Sequence, residues 1–342
     1  MRPVPDLVLG AFGISSGALI KPIGSGHIHQ TFQVEDGRKF ILQRINKNVF
    51  TRPEVIARNN RLAAEYLFKN HPAYLFPTPI PDQHGNDLVY AEDGFPWRLY
   101  PLIQNTVTVD FVTSVQQAFE AAKGFGLLAR NLEGINCDMF EPTLEQFHDL
   151  SRRYEQFESA LANAADSILA QVSEEIALAK QFNFLVDEYK RLIHSGTLTL
   201  RITHNDTKIN NILFDQTLSK ATCVIDLDTL MPGYFIYDLG DMVRTCVSPV
   251  SEEEFDVSNI AFRKEIYDAL LSGYLSEMRP FLSPAELAAV PFAGKMMTYI
   301  MALRFLADFL RGNTYYHISY PDQNKVRARN QLHLLNILIG AV

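Results

Sequence analysis

Cysteine is scarce in this sequence. Three cysteines occur in 342 residues, at Cys137, Cys223 and Cys246, and no two of them form a CxxC pair. Their odd number and wide spacing support neither a disulfide-stapled fold nor a cysteine-based zinc site. We therefore expect a protein that works in the reducing cytoplasm.

Positive charge and long apolar runs are also lacking. The chain has 31 Lys and Arg against 39 Asp and Glu, a formal net charge of −8. A nucleic-acid or membrane-surface binder that relies on a general basic patch is therefore not expected. No apolar run reaches the roughly 18 residues of a membrane span. The first residues, MRPVPDLVLGAFGI, lack the apolar core of a signal peptide, so we expect none.

The order of the local patterns predicts a bilobal α+β protein. Apolar residues make up 47% of the chain, which is typical of a globular protein, and its length suits about two domains. The first hundred residues are strand-rich, with a hairpin signal at Asp36-Gly37 and one helix over about 53–69. After a connector at 101–106 the pattern is mainly helical. We expect an N-lobe over 1–101, a C-lobe over 102–342 and a ligand site in the cleft between them.

The densest polar cluster lies between residues 201 and 244. His204, Asp206 and Asn211 fit the pattern HxDxxxxN, and a short strand, a turn and a second strand then lead to Asp226. Two antiparallel strands would bring Asn211 and Asp226 side by side. An amide oxygen and a carboxylate suit Mg²⁺, which keeps further positions for water and phosphate. Asp206 could then accept a proton from a substrate hydroxyl while a phosphoryl group moves in line.

These motifs resemble the catalytic core of the aminoglycoside phosphotransferase and choline kinase superfamily, which is related to the protein kinases. Further segments are similar to the N-acetylhexosamine 1-kinase group: THNDTK, VIDLDT, YDLGD and RFLADFL. The resemblance extends over nearly the whole chain. It implies a protein-kinase-like fold with a small antiparallel-sheet N-lobe and a larger, mainly helical C-lobe. It also implies ATP and Mg²⁺ as cofactors, and a reaction that converts GlcNAc or GalNAc to the 1-phosphate.

The resemblance also assigns roles to individual residues. Asp206 would be the catalytic base, Asn211 and Asp226 would hold Mg²⁺, and Asp228 would assist with metal or substrate. Backbone N–H groups of the glycine-rich turn Gly24, Ser25 and Gly26 would cover the phosphates. The side chains that would contact the sugar are His27, Arg304 and Tyr315. Residues of YDLGD, such as Asp238, are expected to be structural.

One position departs from the family pattern. Related folds carry a Lys or Arg on the third strand, which pairs with the nucleotide phosphates and with a helix Glu. Here the strand has Gln43 followed by Arg44, and alternation lets only one of them face the cleft. If Arg44 faces inward it can contact the nucleotide, and Glu65 is the candidate helix partner.

Two other functions remain open at this stage. One is a sister kinase that acts on another sugar, a choline-like amino alcohol or homoserine. The other is a pseudokinase that binds nucleotide with little turnover, which Gln43 keeps in consideration. Partners are expected to be small molecules, a sugar and a nucleotide, without nucleic acid or membrane, and the protein is expected to be a monomer or weak dimer.

Overall fold

An antiparallel sheet of five strands occupies the first hundred residues. The computed structural model describes residues 4–23 and 28–342. In this described chain the strand order is β1-β2-β3-β5-β4, with bounds β1 Leu19–Pro22, β2 Gln30–Asp36, β3 Arg38–Arg44, β4 Val89–Tyr90 and β5 Pro96–Pro101. Gly37 joins β2 to β3 with a φ of +68°, a left-handed backbone that glycine adopts at low cost. The predicted hairpin is therefore confirmed.

The two faces of this sheet differ in polarity. Phe32 and Leu42 stand in one cross-strand row and are buried in a small core together with residues of α1 (Asp6–Ala11). Thr31, Gln43 and Arg98 form the neighbouring row, again as direct cross-strand partners. Because successive side chains alternate between faces, this polar row points away from the small core.

One helix, α2, connects β3 to the last two strands of the sheet. It spans Pro53–Asn70, close to the predicted 53–69, and Pro53 suits its first turn because the proline φ is already helical. Its buried face, which includes Ala63 and Leu67, packs into the larger core of the molecule. By chain position the helix belongs to the first hundred residues, but its packing joins it to the helices that follow.

After residue 101 the chain is mainly helical. The helices are α3 Val115–Asn131, α4 Leu150–Asn163, α5 Asp166–Leu169, α6 Ser173–Gln181, α7 Phe184–His194, α8 Phe235–Cys246, α9 Lys264–Met278, α10 Pro284–Ala288, α11 Val290–Leu310 and α12 Gln323–Ala341. The apolar pattern over 173–194, which predicts one helix, is divided into α6 and α7 by a turn at 182–183. No helix within residues 4–23 and 28–342 is long and apolar enough to cross a membrane, and α11 is instead buried among other helices.

The four short strands between α7 and α8, together with β6 before α3, form two further small sheets. One has the order β6-β8-β9, with bounds β6 Thr106–Val107, β8 Ile212–Asp215 and β9 Ala221–Val224; the other pairs β7 Arg201–Thr203 with β10 Met231–Gly233. Ile212 is the antiparallel partner of Val224. The start of β8 and the end of β9 therefore meet, which is the juxtaposition that the sequence predicts for Asn211 and Asp226.

Candidate active site

The loop between β7 and β8 carries the HxDxxxxN motif and is held from within by its histidine. The Nδ1 atom of His204 accepts the backbone N–H of Asp206 at 3.2 Å. Nε2 therefore carries the ring hydrogen, and it donates to the carbonyl oxygen of Ile225 at 2.9 Å. His204 thus connects the loop to the residue that precedes Asp226.

Asp238, in the first turn of α8, supports the same loop from behind. Its carboxylate accepts the backbone N–H of His204 at 3.1 Å and that of Asn205 at 2.7 Å. Asn205 has a φ of +65°, a left-handed conformation that asparagine tolerates better than most residues. Burial raises the pKa of Asp238 to about 6. The expected structural role of Asp238 is therefore specific: it anchors the catalytic loop.

Asp206 lies on the open side of this loop, with a side chain 29% exposed. One carboxylate oxygen is 3.2 Å from Nζ of Lys208, and the other accepts from Nδ2 of Asn211 at 3.2 Å. Burial acts to raise the pKa of Asp206, but the neighbouring positive groups, Lys208 foremost, together outweigh it and the pKa lies below its ordinary value. Asp206 is therefore ionised at neutral pH, as a proton acceptor requires.

Asn211 and Asp226 stand together at the open end of the β8–β9 hairpin. The backbone N–H of Ile225 donates to the carbonyl oxygen of Asn211 at 2.9 Å. Asn211 uses its amide nitrogen to bond the carbonyl of Asp206 at 2.8 Å, which leaves the amide oxygen without a hydrogen bond in the described chain. The exposed Asp226 carboxylate has none there either. These two oxygens suit Mg²⁺, so the residues fit the expected metal.

The pKa of Asp226 supports this interpretation. Its desolvated surroundings, together with the carboxylates of Asp228 and Asp206, raise the pKa to about 6. The backbone of Asp226 is also left-handed, with a φ of +59°. Asp226 therefore resists ionisation beside two carboxylates that are ionised, an environment that a bound cation would stabilise.

Asp228 is buried, and both of its oxygens are engaged by the N-terminal sheet. Arg98 donates to Oδ1, and Nε2 of His29 donates to Oδ2 at 2.5 Å. The other ring nitrogen of His29 accepts the backbone N–H of Asn46 at 3.0 Å, which places the ring hydrogen on Nε2. Burial acts to raise the pKa of Asp228, but Arg98 and His29 outweigh it and hold the pKa well below its ordinary range. In this structure Asp228 therefore joins the two lobes.

Strand β3 presents Gln43, and not Arg44, to the cleft. The Oε1 atom of Gln43 accepts from Nε of Arg98 at 3.0 Å. Arg44 lies on the opposite face, where it pairs with Asp93 at 2.8 Å and stands 3.6 Å above the centre of the Phe95 ring. The buried cation of this polar row therefore comes from β5.

Four other predicted positions stay predictions, and a fifth does not form its expected contact. Gly24, Ser25, Gly26 and His27 lie outside the residues that the structure describes. Glu65 is exposed on α2, and no hydrogen bond joins it to β3.

Arg304 and Tyr315 come together in an aromatic cluster on the C-lobe. The guanidinium carbon of Arg304 is 5.2 Å from the ring centre of Phe147, 5.7 Å from Tyr315 and 5.4 Å from Tyr316. Asp308 shapes the loop by accepting the backbone N–H groups of residues 314–316 at 2.8–2.9 Å. No carboxylate of the described residues forms an ion pair with Arg304. Its charge is therefore free to meet a ligand.

His148 connects this cluster to the catalytic loop. Its Nε2 atom bonds the carbonyl oxygen of Asn205 at 2.7 Å, and its ring centre is 4.2 Å from that of Phe147. Burial lowers the pKa of His148 to about 3, so the ring is neutral and donates this hydrogen bond. The Arg304 cluster therefore lies beside the peptide that precedes Asp206.

A comparison with protein-family models decides the family. Residues 19–281, well over half of the chain, match the model described as the phosphotransferase enzyme family. The chain belongs to this family.

Solved structures confirm the fold of this phosphotransferase. It is similar to a microcompartment-associated aminopropanol kinase (17% identity, TM-score 0.64), covering 98% of this chain and 96% of that one. It is also similar to an aminoglycoside phosphotransferase from Alicyclobacillus acidocaldarius (13% identity, TM-score 0.64), covering 100% of this chain and 97% of that one. A third similar structure is a choline kinase from Cryptosporidium parvum (17% identity, TM-score 0.59), covering 96% of this chain and 91% of that one. The predicted α+β, protein-kinase-like fold is therefore confirmed.

Sequence reasoning missed three residues of the phosphotransferase site. Arg98 lies between Trp97 and Leu99, and a charged residue inside an apolar strand is a sign of a buried pair. The alternating pattern around His29 is one that ordinary surface residues of a strand also show. His148 lies just before a helix, and its spacing from other polar residues does not distinguish it. For these two histidines only the tertiary contacts reveal the role.

Proposed function

We propose that this phosphotransferase is an ATP-dependent kinase that phosphorylates the anomeric hydroxyl of an N-acetylhexosamine, GlcNAc or GalNAc, to give the 1-phosphate. The observation that carries the proposal is the Arg304 cluster beside the catalytic loop. A guanidinium without a carboxylate partner repels an acceptor that bears an ammonium group, and it donates readily to hydroxyl and carbonyl oxygens. The rings of Tyr315 and Phe147 supply apolar surface of the kind that a sugar ring packs on.

Asp206 is the proposed base of this reaction. It is ionised, it is open to the cleft, and Asn211 fixes the direction of its carboxylate. The proton of the acceptor hydroxyl passes to Asp206 while the acceptor oxygen forms its bond to the γ-phosphorus of ATP. The bond from that phosphorus to the β,γ-bridging oxygen breaks, and ADP leaves.

Asn211 and Asp226 are the proposed ligands of Mg²⁺. When bound, the metal neutralises charge on the phosphate oxygens. The residues 1–101 would then cover the nucleotide, and residues 102–342 would hold the acceptor.

The proposed setting is a monomer or weak dimer in the cytoplasm. All three cysteines are unpaired, and Cys223 and Cys246 are buried thiols. Unpaired thiols of this kind suit a reducing compartment.

The test is ADP release with Mg-ATP against GlcNAc, GalNAc, glucosamine, glucose, galactose, choline and homoserine. We expect turnover with an N-acetylhexosamine and a phosphate at C1 by ³¹P NMR. Turnover only with choline or homoserine would keep the kinase and remove Arg304 from the acceptor site. ATP binding without turnover on any acceptor would favour the pseudokinase.

A further inference from the structure

We propose that the guanidinium of Arg98 binds the nucleotide phosphates while it stays hydrogen-bonded to Asp228 and Gln43. The proposal rests on the proposed use of a nucleoside triphosphate, but not on the identity of the acceptor. In related folds a cation on β3 pairs with the nucleotide phosphates, and the proposal assigns this role to Arg98 on β5.

Arg98 is a buried cation with one open edge. The residue is 4% exposed. Its Nε donates to Gln43 at 3.0 Å and its Nη1 donates to Asp228. Nη2 has no hydrogen-bond partner in the described chain and Nη1 uses one of its two N–H groups, so three of the five N–H donors of the guanidinium remain unused there. A guanidinium fixed on two sides has lost its rotamer freedom before a ligand arrives, which favours tight binding of an anion.

The bond with Asp228 places Arg98 close to the proposed metal ligands. Its partner Asp228 follows the proposed metal ligand Asp226 by two residues. The charge of Asp226 also acts on Arg98 and contributes to raising its pKa. Phosphate oxygens held by a metal at Asn211 and Asp226 would therefore lie within the field of this guanidinium.

Strand β3 supplies no cation to the row of Thr31, Gln43 and Arg98. Gln43 is the direct cross-strand partner of Arg98, and Arg44 is on the other face with Asp93. Lys208, the cation next to Asp206, lies on the C-lobe side of the cleft. Arg98 is thus the cation of the polar row on the sheet, and Gln43 acts as its positioning residue.

The same contacts couple nucleotide binding to the interface between the lobes. Asp228 receives Arg98 on one oxygen and His29 on the other, so the C-lobe segment after Asp226 is bonded to β5 and to the residue that precedes β2. A phosphate on the open edge of Arg98 would extend this chain of contacts to the nucleotide. Binding of the donor would therefore favour the arrangement in which Asp206 and Asp226 face the phosphates.

The test measures binding of Mg-AMP-PNP and of adenosine by calorimetry, without acceptor, in wild type, R98Q, R98K, R44Q, Q43K/R98Q and R38Q. Arg38 is exposed on β3 and serves as the control. We expect R98Q to weaken Mg-AMP-PNP binding by about 10–100-fold, the usual effect of one charged hydrogen-bonding partner, and to leave adenosine binding unchanged. Q43K/R98Q should recover part of the loss, because Lys at 43 returns a cation to the same row.

Each contrary result has a distinct meaning. An equal loss for adenosine and AMP-PNP, or unchanged AMP-PNP binding with a lower melting temperature, would make Arg98 a purely structural residue. Loss in R44Q instead of R98Q would transfer the role to Arg44. If R98Q does not fold, R98K keeps the pair with Asp228, and it must still bind AMP-PNP several-fold more weakly and adenosine normally. If the wild-type protein binds no nucleotide, both the proposed use of ATP and this inference are wrong. If the acceptor proves to be a different molecule, the inference about Arg98 is unaffected.

Discussion

The three carboxylates of the cleft are given different protonation behaviour by their neighbours. Lys208 keeps the pKa of Asp206 low, and Arg98 with His29 keeps that of Asp228 low, in both cases against the effect of burial. Asp226 has no such partner, and its pKa is raised to about 6. Asp206 is therefore the carboxylate that suits the proposed base, Asp228 is bonded to residues of the N-lobe, and Asp226 is available to the proposed cation.

Replacing Asp206 by Asn should remove the proposed base with little change in shape. We expect kcat to fall by about 10²–10⁴, the usual contribution of a general base, while the dissociation constants of nucleotide and sugar stay within about threefold. Steady-state kinetics and calorimetry on the same preparation measure both. D110N, at an exposed loop aspartate, is the control. Near-normal turnover in D206N would remove Asp206 from the chemistry.

Replacing Arg304 by Gln separates acceptor recognition from nucleotide recognition. The Arg304 cluster lies on the C-lobe beside Asn205, so we expect KM for the sugar to rise at least about tenfold, as for loss of a charge-assisted hydrogen bond, with KM for ATP almost unchanged. R311Q, which alters an exposed arginine just beyond α11, is the control. Equal increases in both constants would make Arg304 a structural residue.

Helix α8 shows how an element beneath the site is fixed in place. It begins just before Asp238, the anchor of the catalytic loop, and packs closely against α11. At Gly240 an added Cβ would stand 2.4 Å from the backbone oxygen of Ala293. Only glycine permits this approach, so the position of α8 and hence of the anchor depends on the close contact of the two helices.

The variant G240A should therefore be costly, because the clash is with backbone that cannot rotate away. We expect a loss of at least about 2 kcal/mol in the free energy of unfolding, measured by urea denaturation. The matched control is G10A in α1, where no described atom lies within 4 Å of the new Cβ. That change should be neutral or stabilise by up to about 1 kcal/mol, since alanine has the higher helix propensity. Equal effects of the two variants would show that the α8–α11 contact is loose.

At the level of strands, alternation predicts only part of the site. It establishes that Gln43 and Arg44 face opposite sides of β3, but it does not say which side is the cleft. That choice follows from the small core, which takes Phe32 and Leu42 and so turns Gln43 toward Arg98. The pairing of β3 with β5 joins residues 55 positions apart, and no local pattern encodes it.

For the molecule as a whole, the sequence predicts the fold and the arrangement of the central loop better than the contacts between lobes. The motif from His204 to Asp226 is local, because one hairpin brings its members together, and the hairpin is readable from its turn. The bond of Asp228 to Arg98 joins residues 130 apart. Contacts of this range depend on how the sheet and the helices pack, which composition and spacing do not determine.

The free energy of unfolding of the whole protein should depend on pH through the titration of Asp238. Its folded pKa of about 6 lies above the ordinary Asp value, so the folded state holds this proton more tightly than the unfolded state. This group therefore lowers the free energy of unfolding as pH rises from about 4 to about 6. Asn at this position has no charge to bury. Although D238N loses one hydrogen-bond acceptor for the loop, its deficit relative to wild type should be smaller at pH 7.5 than at pH 4.5, by about 2 kcal/mol.

Urea unfolding at several pH values between 4.5 and 7.5 measures that difference directly, because titrations shared by the two proteins cancel. The control is D215N. Asp215 is hydrogen-bonded by Ser219 and its pKa is lowered, so its protonation falls mostly below this pH range and the gap between D215N and wild type should be nearly constant. A D238N deficit that grows with pH would mean that the two N–H groups of the loop stabilise the Asp238 anion by more than its burial costs. The catalytic loop would then be held by charge, and D238N would lower kcat most at alkaline pH.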